Sequence, residues 1–214
     1  MPLAKSTLCE NRTVVGVLGE LSDSLGNRSC QTPDTASSAA LAAGLSAACG
    51  LTAVTALQSQ AGVLDACTDA PLAGSGTTIA LVGGHVTQRL ARYLEREQSP
   101  VSLVESADAL TERFVSRAGT TLVEFPLTDV SPSHDYLVLQ FVPDVAHGAL
   151  VVHVYGVAAE GSAAAVWYFL HRVLPGLGAG TRAFERSLLL EWTEDGDGNP
   201  GDSDSWREIA RDVL

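Results

Sequence analysis

The sequence predicts an α/β protein of three-layer, Rossmann-like build, a mostly parallel sheet with helices on both faces, and three observations predict it. Apolar runs that end at glycine, Thr13-Val14-Val15-Gly16-Val17-Leu18-Gly19 and Thr77-Thr78-Ile79-Ala80-Leu81-Val82-Gly83-Gly84, read as strands buried on both faces. Ala-rich helical stretches alternate with such runs along the chain, as a parallel sheet with crossover helices requires. The 214 residues are 46% apolar and 18% charged, so the chain closes a core without crosslink or metal, and disordered or fibrous classes are excluded.

In order, 13–19 is the first central strand. Residues 20–34 are polar, with Gly26 and Pro33, and form a loop from which Asp34 or Thr35 caps a helix over 36–48. Gly50 stops that helix before a strand at 51–55. A short helix at 61–66 and a Pro/Gly/Ser loop at 71–76 precede the strand 77–83. Val86, Leu90 and Leu94 then recur at helical spacing through 86–97. Beyond Pro100 the segment to 117 holds short elements. Strands follow at 120–125, 135–142 and 149–157, the last two separated by turn residues at Pro143-Asp144 and His147-Gly148. Gly161-Ser162 opens a helix over 163–174 that Pro175 ends, 187–192 is a strand, and 205–214 is either a returning strand or a short helix. The α/β domain thus spans 1–186, with its cysteine-bearing part at 1–70. An acidic hairpin or tail at 187–214 packs on it or on a neighbour.

Charge and cysteine narrow the function. The net charge of −12 repels polyanions, so nucleic acid is excluded as a partner. Lys5 is the only lysine against twelve arginines, a balance that suits a salt-rich, halophilic setting, although a GC-rich genome also favours arginine. The 35–64 stretch carries no charge, but its alanine-dominated composition with Gly44, Gly50 and Gly62 is too weakly apolar for a membrane span. Cys9, Cys30, Cys49 and Cys67 form an even, clustered set that reads as two disulfides in an extracellular protein. Neighbour pairing, Cys9–Cys30 and Cys49–Cys67, is the expected connectivity, with the other two pairings open. Asn11 and Asn27 begin Asn-x-Ser/Thr acceptor sequences and are expected at the surface and glycosylated. No basic segment followed by an apolar run opens the chain, so a secreted protein would begin here in mature or recombinant form.

The chain has no Gly-x-Ser-x-Gly elbow, and its five histidines never pair at metal-ligand spacing. No catalytic set is expected. Gly83 and Gly84, with Gly161 and Ser162, resemble anion-binding turns at helix N-termini. They define the alternative reading, a small-molecule-binding or transferase-like enzyme with its site at those strand ends. The densest chemistry is 194–204, where Asp195, Asp197 and Asn199 alternate as oxygen donors and Asp202 and Asp204 add charge, a set that suits calcium. No organic cofactor is indicated.

Several segments together resemble the α/β domain of archaeal S-layer proteins, with a lesser likeness to bacterial cell-wall-binding repeats. They are Ser37-Ser38-Ala39-Ala40-Leu41-Ala42-Ala43, Ile79-Ala80-Leu81-Val82-Gly83-Gly84, Tyr136-Leu137-Val138-Leu139-Gln140, and Leu150-Val151-Val152-His153-Val154-Tyr155-Gly156 leading to Glu160-Gly161-Ser162-Ala163-Ala164-Ala165. His85 and Gln88 stand where the family more often has Pro and Asn, and Tyr155 replaces a small residue. The resemblance implies a secreted, non-enzymatic structural subunit of a surface layer or filament. Its expected partner is itself, with other cell-surface components beside it, and cations assist the assembly. Two segments could serve a contact with a neighbour, the N-terminal arm 2–8 and the tail 206–214, with apolar Trp206, Ile209, Val213 and Leu214; the alternative is that the tail packs back on its own domain.

Overall fold

A computed structural model describes residues 8–18, 21–22, 28–29, 32–72, 76–84, 88–106, 110–144, 146–178 and 186–213. The chain runs β1 (Thr13–Leu18), an antiparallel pair of two-residue strands, β2 (Leu21–Ser22) and β3 (Arg28–Ser29), then α1 (Thr32–Cys49), β4 (Thr52–Leu57) and β5 (Thr77–Val82). Then come α2 (Arg89–Glu97), β6 (Val101–Glu105), β7 (Thr111–Ser116), β8 (Thr121–Pro126), β9 (His134–Asp144) and β10 (Ala149–Gly156). α3 (Ala159–Tyr168) continues through a π-helical turn, Phe169–Val173, into α4 (Leu174–Gly178), and β11 (Ser187–Thr193) and β12 (Ser205–Arg211) close the chain.

Seven strands form the main sheet in the order β12-β11-β9-β10-β5-β1-β4. The β10-β5-β1-β4 half is parallel and the β12-β11-β9-β10 half antiparallel. One face carries α1, α3 and the π-helical turn, whose Leu41, Leu45, Ala164, Ala165 and Phe169 pack on Val14, Val82, Leu139, Val152 and Leu190. The opposite face is covered in two parts. α2 and the 58–72 turns bury Val17, Ile79, Leu81, Leu90 and Leu94, and a separate antiparallel sheet, β6-β7-β8, lays Phe114 and Phe125 over Tyr136, Val138, Tyr155 and Leu189.

The expected mostly parallel Rossmann-like sheet flanked by helices is therefore corrected. The sheet is mixed, and half of one face is covered by strands. The physical reason lies in connection length. Only residues 145–148 join β9 to β10, far short of the dozen or more that a parallel crossover needs, so the pair is an antiparallel hairpin. The strand expected at 120–125 is β8 and belongs to the smaller sheet, and 100–117 supplies β6 and β7 instead of unassigned short elements. The helix expected at 61–66 is a pair of turns closed by Asp69 N to Asp65 O (3.0 Å) and Asp65 N to Ala70 O (2.8 Å).

The tail packs on its own chain. β12 pairs with β11 from Ser205 to Arg211, and Trp206 stacks on Trp167 with centroids 5.6 Å apart. Of the expected arm 2–8 only Leu8 is described, and it is fully buried against the α1 side of the core.

Among the described residues one disulfide joins Cys9 to Cys49, with Cα atoms 4.8 Å apart, and ties the segment before β1 to the end of α1. This replaces the expected Cys9–Cys30 and Cys49–Cys67 pairing. The α1 helix returns its C-terminus beside the start of β1, which brings these two cysteines together, whereas Cys67 is a free, exposed thiol. Cys30 lies outside the described residues.

Candidate functional site

In an open α/β sheet a ligand sits beyond the carboxyl ends of the parallel strands, where successive connections depart in opposite directions. Here that place is between β1 and β5, since β4 and β10 lie outside them. Among the described residues, the Gln88 side chain spans it. Gln88, fully buried just before α2, donates from Nε2 to the Val82 carbonyl (2.8 Å) and the Val17 carbonyl (3.4 Å), bridging the two strand ends. Gln58, beyond β4, accepts the first α2 amide, Arg89 N, on Oε1 (2.8 Å). The first amide of α2 is thus taken from within the chain.

Next to it the Gly83 carbonyl accepts from His153 Nε2 (3.0 Å), while Gln140 Nε2 donates to His153 Nδ1 (3.1 Å). Gln140 takes Val101 N on Oε1 (3.4 Å), which fixes its amide orientation and leaves His153 with its proton on Nε2. His153 and Gln140 are both buried, so this chain links the main sheet to the start of β6 without reaching solvent.

The second expected anion site is occupied by a carboxylate. Asp135, fully buried near the start of β9, accepts Ala158 N on Oδ2 (2.8 Å) and both Val157 N (3.2 Å) and Tyr136 N (2.6 Å) on Oδ1. It caps α3 from another strand. Burial pushes its carboxyl up to about 7, against the pull of the three amides and of nearby His134. A side chain at Gly161 would collide with this carboxylate, and a Cβ on Gly156 would lie 2.6 Å from Gly161 Cα, so β10 and α3 meet through two glycines. Ser162 Oγ accepts Gly156 N (3.2 Å), a structural role. Gly161 and Ser162 are thus engaged by contacts within the chain, and the Gly83 carbonyl accepts from His153. His85 lies outside the described residues.

The 194–204 loop turns back on itself. Asp204 is nearly buried and spends its carboxylate on Trp192 Nε1 (2.7 Å), Gly201 N (2.9 Å) and Asp195 N (3.2 Å). Asp202 pairs with Arg172 (2.7 Å), and Asn199 turns its amide to the Asp197 carbonyl (3.2 Å). Of the five expected calcium ligands, Asp195 and Asp197 are brought together, and they are joined by Glu194, which the donor alternation did not select. These three offer oxygens within 4.8 Å of one another, Asp195 and Asp197 exposed and Glu194 half-buried. Asp202, Asp204 and Asn199 are turned to other partners.

Asn11 is half-buried and donates from Nδ2 to Thr78 Oγ1 (2.8 Å), and Asn27 lies outside the described residues. No helix among the described residues is long and apolar enough to cross a membrane.

The described residues define a mostly β-sheet protein, a seven-strand mixed sheet beside a three-strand antiparallel one, in which Gln88 bridges the ends of β1 and β5. No protein-family model, curated protein or solved structure matches the chain.

Proposed function

We propose that the protein is a non-enzymatic structural subunit of an extracellular surface layer or filament, assembling by self-association that cations assist. The observation that carries this reading is the closure of the strand ends. Gln88 bridges β1 and β5, and Asp135 sits on the α3 N-terminus, so the positions that serve chemistry in this sheet geometry serve cohesion instead. The Cys9–Cys49 bridge fits an oxidising environment outside the cell, which supports the placement. Calcium enters as the ion that screens facing carboxylates, first among them Glu194, Asp195 and Asp197, in a chain of charge −12.

Sedimentation velocity over a range of concentration, in high salt with calcium, tests the reading beside a thermal-shift panel of nucleotides and small acids. Species that grow with concentration and a flat ligand panel are expected. A monomer at every concentration that is stabilised by a nucleotide returns the enzyme reading.

A further inference from the structure

The free edge of the sheet at β4 identifies where such a subunit would meet its copy. Thr52 N donates to the Arg12 carbonyl (3.2 Å) and Gln58 N to the Leu18 carbonyl (3.1 Å), so the even-numbered residues of this strand face β1. Ala53 and Thr55 therefore turn their N–H and C=O groups away from the sheet, and β4 ends the strand order. Edge strands are ordinarily guarded by charge, proline or a bulge. The opposite edge, β12, carries Arg207, Glu208 and Arg211 and faces a register shift in β11. β4 has none of these guards: its sequence is Thr-Ala-Val-Thr-Ala-Leu, and Val54 and Leu57 are 47% and 38% exposed.

The surroundings extend the same neutrality. All of 35–64 is uncharged in a chain of net charge −12, and the outward face of α1 presents Ala36, Ala39, Ala40, Ala43 and Ala47. Beside the edge, on the face opposite α1, lies a cleft of about 210 Å³ lined by Val15, Val17, Val54, Ala56, Val63 and Leu64. A neutral edge offers nothing to a charged partner. It is, however, where two strongly acidic molecules approach without opposing carboxylates.

The geometry points to a second copy of this chain as the occupant, bound by antiparallel pairing of β4 with β4 across a two-fold axis. The inference rests on the self-assembly reading and specifies its contact. Ala53 and Thr55 flank Val54 symmetrically, so rotation about Val54 sets the Ala53 donor and acceptor against those of Thr55 in the other copy, and the reverse. The two Val54 side chains then form the close, non-hydrogen-bonded pair at the rim of the cleft. One continuous sheet results, with other contacts left to extend it into a layer.

The test uses the full chain and two variants, Thr55→Pro, which removes an outward amide that β1 does not use, and Val54→Lys, which places a guard charge on the edge. Analytical ultracentrifugation should give a wild-type dimer whose dissociation constant rises about tenfold or more in each variant, with circular dichroism and melting preserved. In the wild type, hydrogen exchange at the Ala53 and Thr55 amides should slow as dimer forms. Dimers that persist in both variants with those amides still unprotected overturn the β4 contact and leave the assembly reading standing. A β4-dependent dimer that never extends further sustains the contact and overturns the layer reading, whereas a wild type monomeric at all concentrations overturns both.

Discussion

Asp135 combines two demands that ordinarily conflict, complete burial and the capping of a helix by an acceptor. Its carboxyl rises from 3.8 to about 7, so the folded state holds the proton more tightly than the unfolded chain does. The sign follows: this contribution to stability is full below pH about 4, declines as pH rises toward 7 and is flat above. The wild type should lose about 2–3 kcal/mol more than Asp135→Asn between pH 5 and pH 7.5 in chemical denaturation. Equal pH profiles for the two proteins would show that Asp135 titrates as it does in the unfolded chain. Gly161→Ala drives a methyl into the same carboxylate and should cost about 2–3 kcal/mol, read as a shift of the denaturation midpoint without a change of slope. The role of Asp135 was not legible in the sequence, because the amides it caps lie more than twenty residues away and meet it only through packing. The available signal was a carboxylate placed directly before the wholly apolar Tyr136-Leu137-Val138-Leu139.

At the scale of elements, apolar runs located β1, β4, β5, β9, β10 and β11 of the main sheet but not their directions, and β12, with its charged Ser-Trp-Arg-Glu-Ile-Ala-Arg, carried no such run. A strand buried on both faces, such as β10, reads the same in a parallel or an antiparallel neighbourhood, and direction is set by what connects it. The turn residues between β9 and β10 were visible; their spacing leaves room only for a hairpin. β6 to β8 bury one face only, so their alternation is interrupted by Ser, Thr and Glu and carries less apolar signal than the central strands. Cysteine pairing was equally indeterminate, since three connectivities fit the sequence and the return of α1 beside β1 selects Cys9–Cys49. That bridge closes a loop of sequence separation 40, and Cys49→Ser should lose about 3–4 kcal/mol. Alkylation without reductant should label Cys67 and spare Cys9 and Cys49. Labelling of both would remove the bridge and, with it, the support it lends to an extracellular setting.

For the whole molecule the governing quantity is the distribution of its −12 charge, concentrated outside 35–64 and dense in the 194–204 loop. Calcium should raise the melting temperature in proportion to the logarithm of its excess over the dissociation constant, and Asp195→Asn with Asp197→Asn should abolish the rise. A melting curve indifferent to chelator would identify the loop as a solvated turn held by Asp204 and the Trp192 indole. The central claim, that this chain builds a surface structure by associating with itself, is tested most directly by electron microscopy of the purified full chain with and without calcium and high salt. Ordered sheets or filaments that form with cations and disperse on their removal are the predicted result. Monomers in every condition, above all alongside turnover of a small-molecule substrate, would contradict it.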